Sequence, residues 1–395
     1  MNARMKRPLG LAAAAISLAG LTACASASAK VATTSVPPPT TPLATSLVTT
    51  QGGWATMVMG GSAANENNFW QLIVRLPGAS TWSLVTPPGV ADNGGLVAAG
   101  SATSLLIGFR PSQDLAFSPL ASSGNAGKTW ATGLLNAALA SVPDALSIGT
   151  GGQDLALLSN GTVDVGSANG SWSTLTTLKA LAASAPGRAC GLQDVTAVSF
   201  WGDGSYVVAG DCTRAGVVGV FRDTDGTWEA AGPELPAAYA GQPVRVLRLS
   251  GTTVLLQAGP DLLATWLNGT QWSVPQALTD AGTVQSSGFG PGDATAWVLL
   301  SDGRAATIIN GSSQGWSELP RVPAGTAVLA APGPLSDPSA RTAALPTGGN
   351  RPPGPTGAWQ ALAASGKRLT VWTLEGASWT KKQVIEVPIQ YGSSS

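Results

Sequence analysis

Histidine is absent from all 395 residues of the chain. That absence excludes Ser-His-Asp and Cys-His catalysis, histidine-ligated metals and the usual general base near neutral pH. No glycine-rich phosphate loop follows a strand and opens a helix, because the 50 glycines are spread along the chain as turn residues. The sequence therefore predicts no catalytic residue, no cofactor and no metal site, and it favours a protein that is not an enzyme.

Charge is also scarce, at 11% of the residues, and it is balanced between 21 basic and 21 acidic side chains. No block of like charge occurs anywhere along the chain. A nucleic-acid partner needs a basic patch or stripe, so nucleic acid is not an expected partner.

The N-terminus has the layout of an export signal. Residues 1–7 carry three basic side chains and no acidic one, and residues 8–23 are uncharged and mostly apolar or small. This run has the length of a signal-peptide apolar region and is short for a bilayer span. It ends in Leu21-Thr-Ala-Cys24, which resembles the lipobox of bacterial lipoproteins.

The resemblance implies that residues 1–23 are a signal peptide, that the chain is cut before Cys24 and that this cysteine is lipidated. The expected location is the cell membrane, with the protein anchored by its lipid on the extracytoplasmic face. Two or more acyl chains give stable anchoring where a single chain is marginal. An ordinary signal peptide with an accidental cysteine is the alternative.

Two cysteines, Cys190 and Cys212, remain after Cys24. An even pair in an exported chain predicts a disulfide, and closing a loop of this length contributes about 3 kcal/mol in the chain-entropy model. A metal site is the alternative. It is disfavoured because two cysteines without histidine cannot fill a tetrahedral shell unless carboxylates join them.

The rest of the chain divides by composition. Residues 24–44 consist almost entirely of alanine, serine, threonine and proline, which predicts a disordered tether between the lipid and the domain. Residues 45–395 contain short β-rich runs broken by glycine, asparagine, aspartate and proline, so the expected class is all-β. One short helix is predicted near residues 132–140.

One pattern recurs along this domain: a turn rich in glycine, serine and asparagine, followed by a tryptophan that opens a strand. Its seven copies lie about 50 residues apart and end in Trp82, Trp130, Trp172, Trp228, Trp272, Trp316 and Trp379. Repetition at this period predicts a seven-bladed β-propeller, with one four-stranded blade per repeat. Six or eight blades, or a pair of β-sandwich domains, are the alternatives.

One copy of the repeat is sharper than the others. Residues 123–130 read Ser-Gly-Asn-Ala-Gly-Lys-Thr-Trp, which resembles the Asp-box of sialidase-type (BNR) repeats, with Asn125 in place of the aspartate. The resemblance implies a hairpin between the third and fourth strands of a blade, with Trp130 packed between blades. Sialidases also use three arginines and a Tyr–Glu pair. No motif here matches that set, and the chain has only three tyrosines.

The blade scheme makes further placements. Cys190 falls in the connector entering the fourth blade and Cys212 at the end of its second strand, on one face of the propeller. A Pro- and Gly-rich insertion at residues 331–356 falls between the first two strands of the last blade. The run 384–389 is expected to help close the ring with residues 46–59.

These patterns lead to one main functional hypothesis. The chain is expected to be a membrane-anchored, monomeric propeller that acts as a binding or assembly module for a protein or a cell-envelope glycan. A divergent sialidase-like or other glycan-cleaving lipoprotein is the alternative, and a purely structural envelope protein is the third class. Candidate ligand-binding residues on the face formed by connectors into the blades are Glu66, Arg110, Asp211, Arg214, Tyr239 and Arg245, with Trp70 and Trp201 as candidates for stacking on a sugar.

Overall fold

The computed structural model describes residues 40–48, 53–60, 69–76, 79–85, 92–99, 103–111, 116–136, 143–149, 152–167, 170–332, 358–365 and 368–387. The expected signal peptide, Cys24, Glu66 and most of the insertion at 331–356 lie outside these residues. Arg110 and Trp70 are described only by their place in a strand. The first strand begins at Thr40, ahead of residue 45.

The strands form seven antiparallel sheets, and each sheet uses strands that are consecutive in the chain. The first three sheets, blades 1 to 3, contain β1 (Thr40–Val48), β2 (Trp54–Gly60), β3 (Phe69–Arg75) and β4 (Ser83–Leu84); β5 (Asp92–Ala99), β6 (Leu105–Pro111), β7 (Phe117–Ser123) and β8 (Ala131–Asn136); and β9 (Ala145–Ile148), β10 (Asp154–Leu157), β11 (Thr162–Gly166) and β12 (Trp172–Thr177).

Blades 4 and 5 contain β13 (Leu192–Phe200), β14 (Tyr206–Cys212), β15 (Gly219–Thr224) and β16 (Thr227–Ala230); and β17 (Val244–Leu249), β18 (Thr253–Ala258), β19 (Asp261–Asn268), β20 (Gln271–Trp272) and β21 (Gln276–Leu278). Blades 6 and 7 contain β22 (Val284–Phe289), β23 (Thr295–Leu300), β24 (Ala305–Ile309) and β25 (Ser317–Leu319); and β26 (Thr326–Ala330), β27 (Gln360–Ser365), β28 (Arg368–Glu375) and β29 (Ser378–Glu386).

The seven sheets close into a ring. The first strand of each blade contacts the first strand of the next, from β1 through β5, β9, β13, β17, β22 and β26, and β26 contacts β1 again. Apolar clusters fill the spaces between neighbouring blades, because each sheet has two faces that it cannot bury alone. The predicted all-β, seven-bladed propeller is confirmed.

In blade 6 the first three strands are β22, β23 and β24, and Asp302-Gly303 lies in the turn between the second and third. Gly303 has a φ of 83°, a conformation that favours glycine. The insertion falls between β26 and β27, the first two strands of blade 7.

Two short helices in the connector from blade 3 to blade 4 were not predicted. They are α1 (Leu178–Ala183) and α2 (Ala185–Cys190), and their N-caps are Thr177 and Ser184, whose side chains accept hydrogen bonds from the backbone. Gly191 ends α2 with a φ of 70°.

The helix predicted near residues 132–140 is wrong over its first half. Residues Ala131–Asn136 form β8, the outer strand of blade 2. Leu135 is fully buried, whereas Leu134 is 48% exposed. This alternation is the period of a strand, and pairing with β7 overrides the helix propensity of two adjacent leucines.

The repeat tryptophans pack between blades, as the repeat predicts. Three of them donate an indole hydrogen bond to a backbone carbonyl at the outer edge of the preceding blade, at distances of 2.8, 3.0 and 3.0 Å; the pairs are Trp272 with Ala231, Trp316 with Gln276 and Trp379 with Pro320. Each tryptophan therefore adds a directional bond to the apolar contact between two blades.

Within the described strands, blades 7 and 1 meet through side chains and neither blade lends a strand to the other. The Gln383 side chain accepts a hydrogen bond from the Trp82 backbone N–H at 2.9 Å and donates one to the Trp82 carbonyl at 2.8 Å. The Gln383 amide thus pairs with the Trp82 backbone in the way that a neighbouring strand would. Gln360 Oε1 accepts from Trp82 Nε1 at 2.9 Å and from Arg75 Nη1 at 2.8 Å. These bonds complete the ring.

Asp164 in β11 is a buried carboxylate, only 6% exposed, and one of its oxygens has no hydrogen-bond partner among the described residues. Burial raises its pKa above the usual 3.8, and a hydrogen bond from Thr174 offsets part of the increase. A raised pKa means that ionisation costs more in the folded than in the unfolded chain. The folded protein therefore gains stability as pH falls through the window above 3.8.

Asp164→Asn is accordingly expected to raise the melting temperature at pH 7 and to leave it unchanged below pH 3.8, since the native side chain is then neutral as well. Thermal unfolding followed by circular dichroism across this pH range measures the effect. Asp203→Asn is the matched control. The pKa of Asp203 is lowered, mainly by hydrogen bonds from Ser205, so its replacement is expected to reduce stability at pH 7 or leave it unchanged. Equal effects of the two changes at pH 7 would contradict this reading.

Candidate functional site

The topology gives the ring two different faces. We define the connector face as the face that carries the links between blades and the turns between second and third strands. The links include residues 178–191, 231–243, 273–283 and 320–325, and the turns include residues 158–161, 259–260 and 301–304. The turn face carries the remaining turns, including residues 124–130, 201–205, 250–252 and 290–294.

A disulfide joins Cys190, at the end of α2, to Cys212, at the end of β14, with their Cα atoms 5.2 Å apart. Backbone hydrogen bonds beside it, from Thr213 N to Gly191 O and from Arg214 N to Cys190 O, tie the same two segments together. The helical connector is thereby fixed to the second strand of blade 4 on the connector face.

Two of the predicted ligand-binding residues come together on this face. Arg245 at the start of β17 donates from Nε to Asp211 Oδ2 at 3.2 Å, across the junction of blades 4 and 5. The arginine side chain is 66% exposed and the aspartate side chain 24%. The second oxygen of Asp211 is buried and has no hydrogen-bond partner among the described residues. Arg245 therefore holds this carboxylate in place while its own side chain stays largely exposed.

The other two described candidates have separate partners. The Tyr239 hydroxyl donates to Asp261 at 3.1 Å, and burial together with this carboxylate raises the pKa of the tyrosine. Arg214 is exposed and lies 3.5 Å from the Ala189 carbonyl. Neither Tyr239 nor Arg214 joins the pair of Arg245 and Asp211.

A cavity of about 400 Å³ opens beside Arg245, where the innermost strands of blades 5 and 6 meet. Arginine, glutamine, serine and threonine form most of its wall, and no acidic or aromatic side chain is among the residues that line it: Arg245, Leu247, Arg248, Gln257, Gly282, Thr283, Val284, Gln285, Ser286 and Ser287. Its volume lies within the range of small-molecule sites.

Arg248 is the residue in this wall that sequence reasoning missed. Its Nε donates to the Ser287 carbonyl at 3.2 Å, which spans the junction of the two blades, and burial lowers its pKa. Arg304 lies at the rim, where Nη2 donates to the Ala281 carbonyl at 3.2 Å. No local sequence signal marks Arg248, because a register shift between Val246 and Arg248 sets its position in the strand.

The cavity does not reproduce a sialidase centre. Two arginines line it, and neither a tyrosine nor a glutamate is among its lining residues. Tyr206 lies at the turn-face end of β14, where its hydroxyl donates to Gln153 at 3.0 Å. Among the described residues, the Tyr–Glu pair that the resemblance would imply is therefore not assembled at this cavity.

Trp201 lies on the turn face and packs against other side chains. Its ring meets Trp272 edge-on at 6.0 Å, and the Arg222 guanidinium lies over it at 5.2 Å. Asp203 pairs with the same arginine. Trp201 therefore packs at the junction of blades 4 and 5 and is not among the residues that line the cavity. Its suggested role in stacking on a sugar stays a prediction.

The turn at residues 123–130 joins β7 to β8, the third and fourth strands of blade 2, where the Asp-box resemblance predicts a hairpin. Ser123 Oγ accepts from the Gly127 N–H at 2.8 Å, and Asn125 Oδ1 accepts from the Thr129 N–H at 2.8 Å. These bonds give the turn a structural role. Membership of the BNR family stays a prediction.

The described residues can be compared with the requirements of a membrane-spanning helix and of a metal site. Within the residues the structure describes, none of the helices has the length and apolar character needed to cross a bilayer. In the same part of the chain, no three acidic or cysteine side chains cluster so as to hold a metal ion.

No protein-family model matches the sequence, and no curated protein matches it. Solved structures with a similar fold include a protein from Lactobacillus plantarum, at 11% identity and a TM-score of 0.49, over 81% of this chain and 92% of that one. YCF48 bound to D1 peptide matches at 14% identity and a TM-score of 0.42, over 72% and 88%. The GH74 enzyme of Niastella koreensis matches at 11% identity and a TM-score of 0.32, over 85% of this chain and 61% of that one. These similarities are too remote to assign a ligand or an activity.

Proposed function

We propose that the protein is a lipid-anchored, extracytoplasmic β-propeller that serves as a binding or assembly module for a protein or a cell-envelope glycan. The cavity between blades 5 and 6 on the connector face carries this proposal. It combines concave shape with exposed donors on a rigid ring, and ligand sites are typically concave with a few convergent polar groups. Fold alone does not decide function, so the proposal rests on this site.

The anchoring part of the proposal is supported by the sequence of residues 1–24. Mass spectrometry of the chain extracted from membranes tests it directly. The expected N-terminal peptide begins at Cys24 and carries a diacylglyceryl group. A chain cut elsewhere, or one that begins with an unmodified Cys24, would refute the anchor.

The binding part predicts that partner capture depends on the connector face. The wild-type chain, Arg245→Glu and Lys128→Glu would each be purified from crosslinked envelopes. Lys128 is exposed in the turn between β7 and β8 on the opposite face, so it is the matched control. Arg245→Glu is expected to lower the recovered partner by about tenfold or more, because it removes an exposed guanidinium at the cavity and places a second carboxylate beside Asp211.

Lys128→Glu is expected to leave the yield unchanged. Sensitivity of the crosslinked species to protease or to glycan-degrading enzymes identifies the partner class. Equal yields from all three chains would argue against a binding role for the connector face.

A further inference from the structure

We propose that the cavity between blades 5 and 6 binds a carboxylate carried by a peptide. This inference deepens the proposed binding role, because it names the ligand chemistry of the same site. Arg245 stands at the cavity wall with a 66% exposed side chain, and Arg248 stands deeper at the junction of the two blades. A planar guanidinium presents paired N–H donors that match the two oxygens of a carboxylate.

The positions of both arginines are set by hydrogen bonds to the ring. Arg248 is fixed by the Ser287 carbonyl of blade 6, and Arg245 by the carboxylate of Asp211 in blade 4. In each case Nε makes the bond, and the Arg245 side chain remains 66% exposed. Donors that are already positioned lose less freedom when a ligand binds.

The charge around the cavity favours a monoanion. Asp211 lies 3.2 Å from Arg245 and outside the cavity wall, and no acidic side chain lines the cavity itself. A nearby carboxylate repels a dianionic phosphate more than a singly charged carboxylate. The site therefore matches a carboxylate better than a phosphate.

The rest of the wall favours a peptide over a sugar. Sugar sites commonly provide an aromatic ring for stacking, and the wall contains none. It provides the amides of Gln257 and Gln285 and the hydroxyls of Thr283, Ser286 and Ser287. The amide Nε2 atoms donate to the carbonyls of Gly259 and Thr326 at 3.5 and 3.0 Å, and the Ser286 hydroxyl donates to the Ala327 carbonyl at 2.7 Å. The amide and hydroxyl oxygens are acceptors, which suit the N–H groups of an extended peptide.

Ligand-observed NMR titration with the full chain in detergent tests the inference. The probes are acetyl-Gly-Ala-Ala with a free C-terminus, its C-terminal amide, and acetyl-Gly-Glu-Ala amide, with glucuronate and inorganic phosphate as competitors. At least one of the two carboxylate peptides is expected to bind about 10–100-fold more tightly than the uncharged amide, because hydrogen bonds to charged groups are the strong ones. The pair of carboxylate probes separates a C-terminal from a side-chain source.

Arg245→Gln and Arg248→Gln are each expected to lower the affinity for the carboxylate peptide by about tenfold or more. Arg368→Gln is the matched control. Its side chain is 62% exposed, and it pairs with Glu386 at 2.6 Å in blade 7, so it loses a comparable ion pair away from the cavity. If Arg248→Gln fails to fold, Arg245→Gln alone decides the test, since its side chain is mostly exposed.

Four results would overturn the inference. They are equal binding of the acid and amide peptides, no binding of any peptide, tighter binding of glucuronate or phosphate than of the carboxylate peptides, and a loss of affinity in Arg368→Gln equal to that in Arg245→Gln. Any of these could occur while envelope capture still depends on Arg245, and in that case the binding module would stand with a different ligand.

Discussion

Trp82→Ala is expected to lower the free energy of unfolding by about 3–5 kcal/mol, the usual cost of truncating a buried tryptophan. The side chain is 2% exposed and packs in the cluster that joins blades 1 and 7. Its indole also donates to Gln360, so the change both opens a cavity and removes a hydrogen bond at the closure of the ring. The shift of the urea midpoint, together with the slope of the transition, measures the loss.

A pair of conservative variants separates the two contributions. Trp82→Phe keeps most of the apolar contact and loses the bond to Gln360, at a cost of about 1 kcal/mol for the bond. Trp172→Phe removes a buried indole N–H that has no acceptor among the described residues, so no hydrogen bond is lost there. Equal losses in the two phenylalanine variants would contradict the role of the Trp82 hydrogen bond.

Cys190→Ala/Cys212→Ala is expected to lower the free energy of unfolding by about 3 kcal/mol, because the bridge closes a loop between residues 22 positions apart and limits the unfolded chain. Reduction of the wild-type chain is expected to lower its urea midpoint to a similar extent. The connector from blade 3 to blade 4 is expected to lose protection from hydrogen exchange first, since the bridge fixes it to β14.

The double variant serves as the control for the reductant, because reduction has no bridge to break in it. Its midpoint is expected to be the same with and without reductant. A wild-type chain whose midpoint does not change on complete reduction would contradict a stabilising role of the bridge.

The repeat architecture was predictable because one physical need recurs in every blade. Each sheet has two faces to bury, and a tryptophan about every 50 residues marks where neighbouring blades pack. The period fixed the number of blades and the order of strands. The same scheme placed Cys190 and Cys212 on one face, where the structure has them bonded.

Other parts of the fold depend on contacts between residues far apart in sequence. Gln383 reaches Trp82 across 301 positions, and no local pattern marks either residue as a partner of the other. Register shifts occur in the first strands of most blades, for example between Val284 and Ser286 in β22. A register shift changes which side chains face the neighbouring blade. Knowing from the sequence where a strand lies does not predict where its register shifts.

The candidate site was anticipated in part. Asp211 and Arg245 were named from their place in the blade scheme, and the structure brings them together. Arg248 was missed because an arginine inside an apolar strand gives no signal until the register of that strand is known. The helices before Cys190 were missed because each is only six residues long, too short for a helical period to show.

Site-specific photo-crosslinking from the two faces of the ring tests the central claim most directly. Thr283 is exposed at the cavity on the connector face, and Thr252 is exposed in the turn between β17 and β18 on the turn face. Each would be replaced by a photo-reactive phenylalanine in the full chain, expressed in its native envelope. A partner crosslinked from position 283 and absent from position 252 is the predicted result. Crosslinking from position 252 alone, or equally from both positions, would contradict the assignment of the connector face as the binding surface.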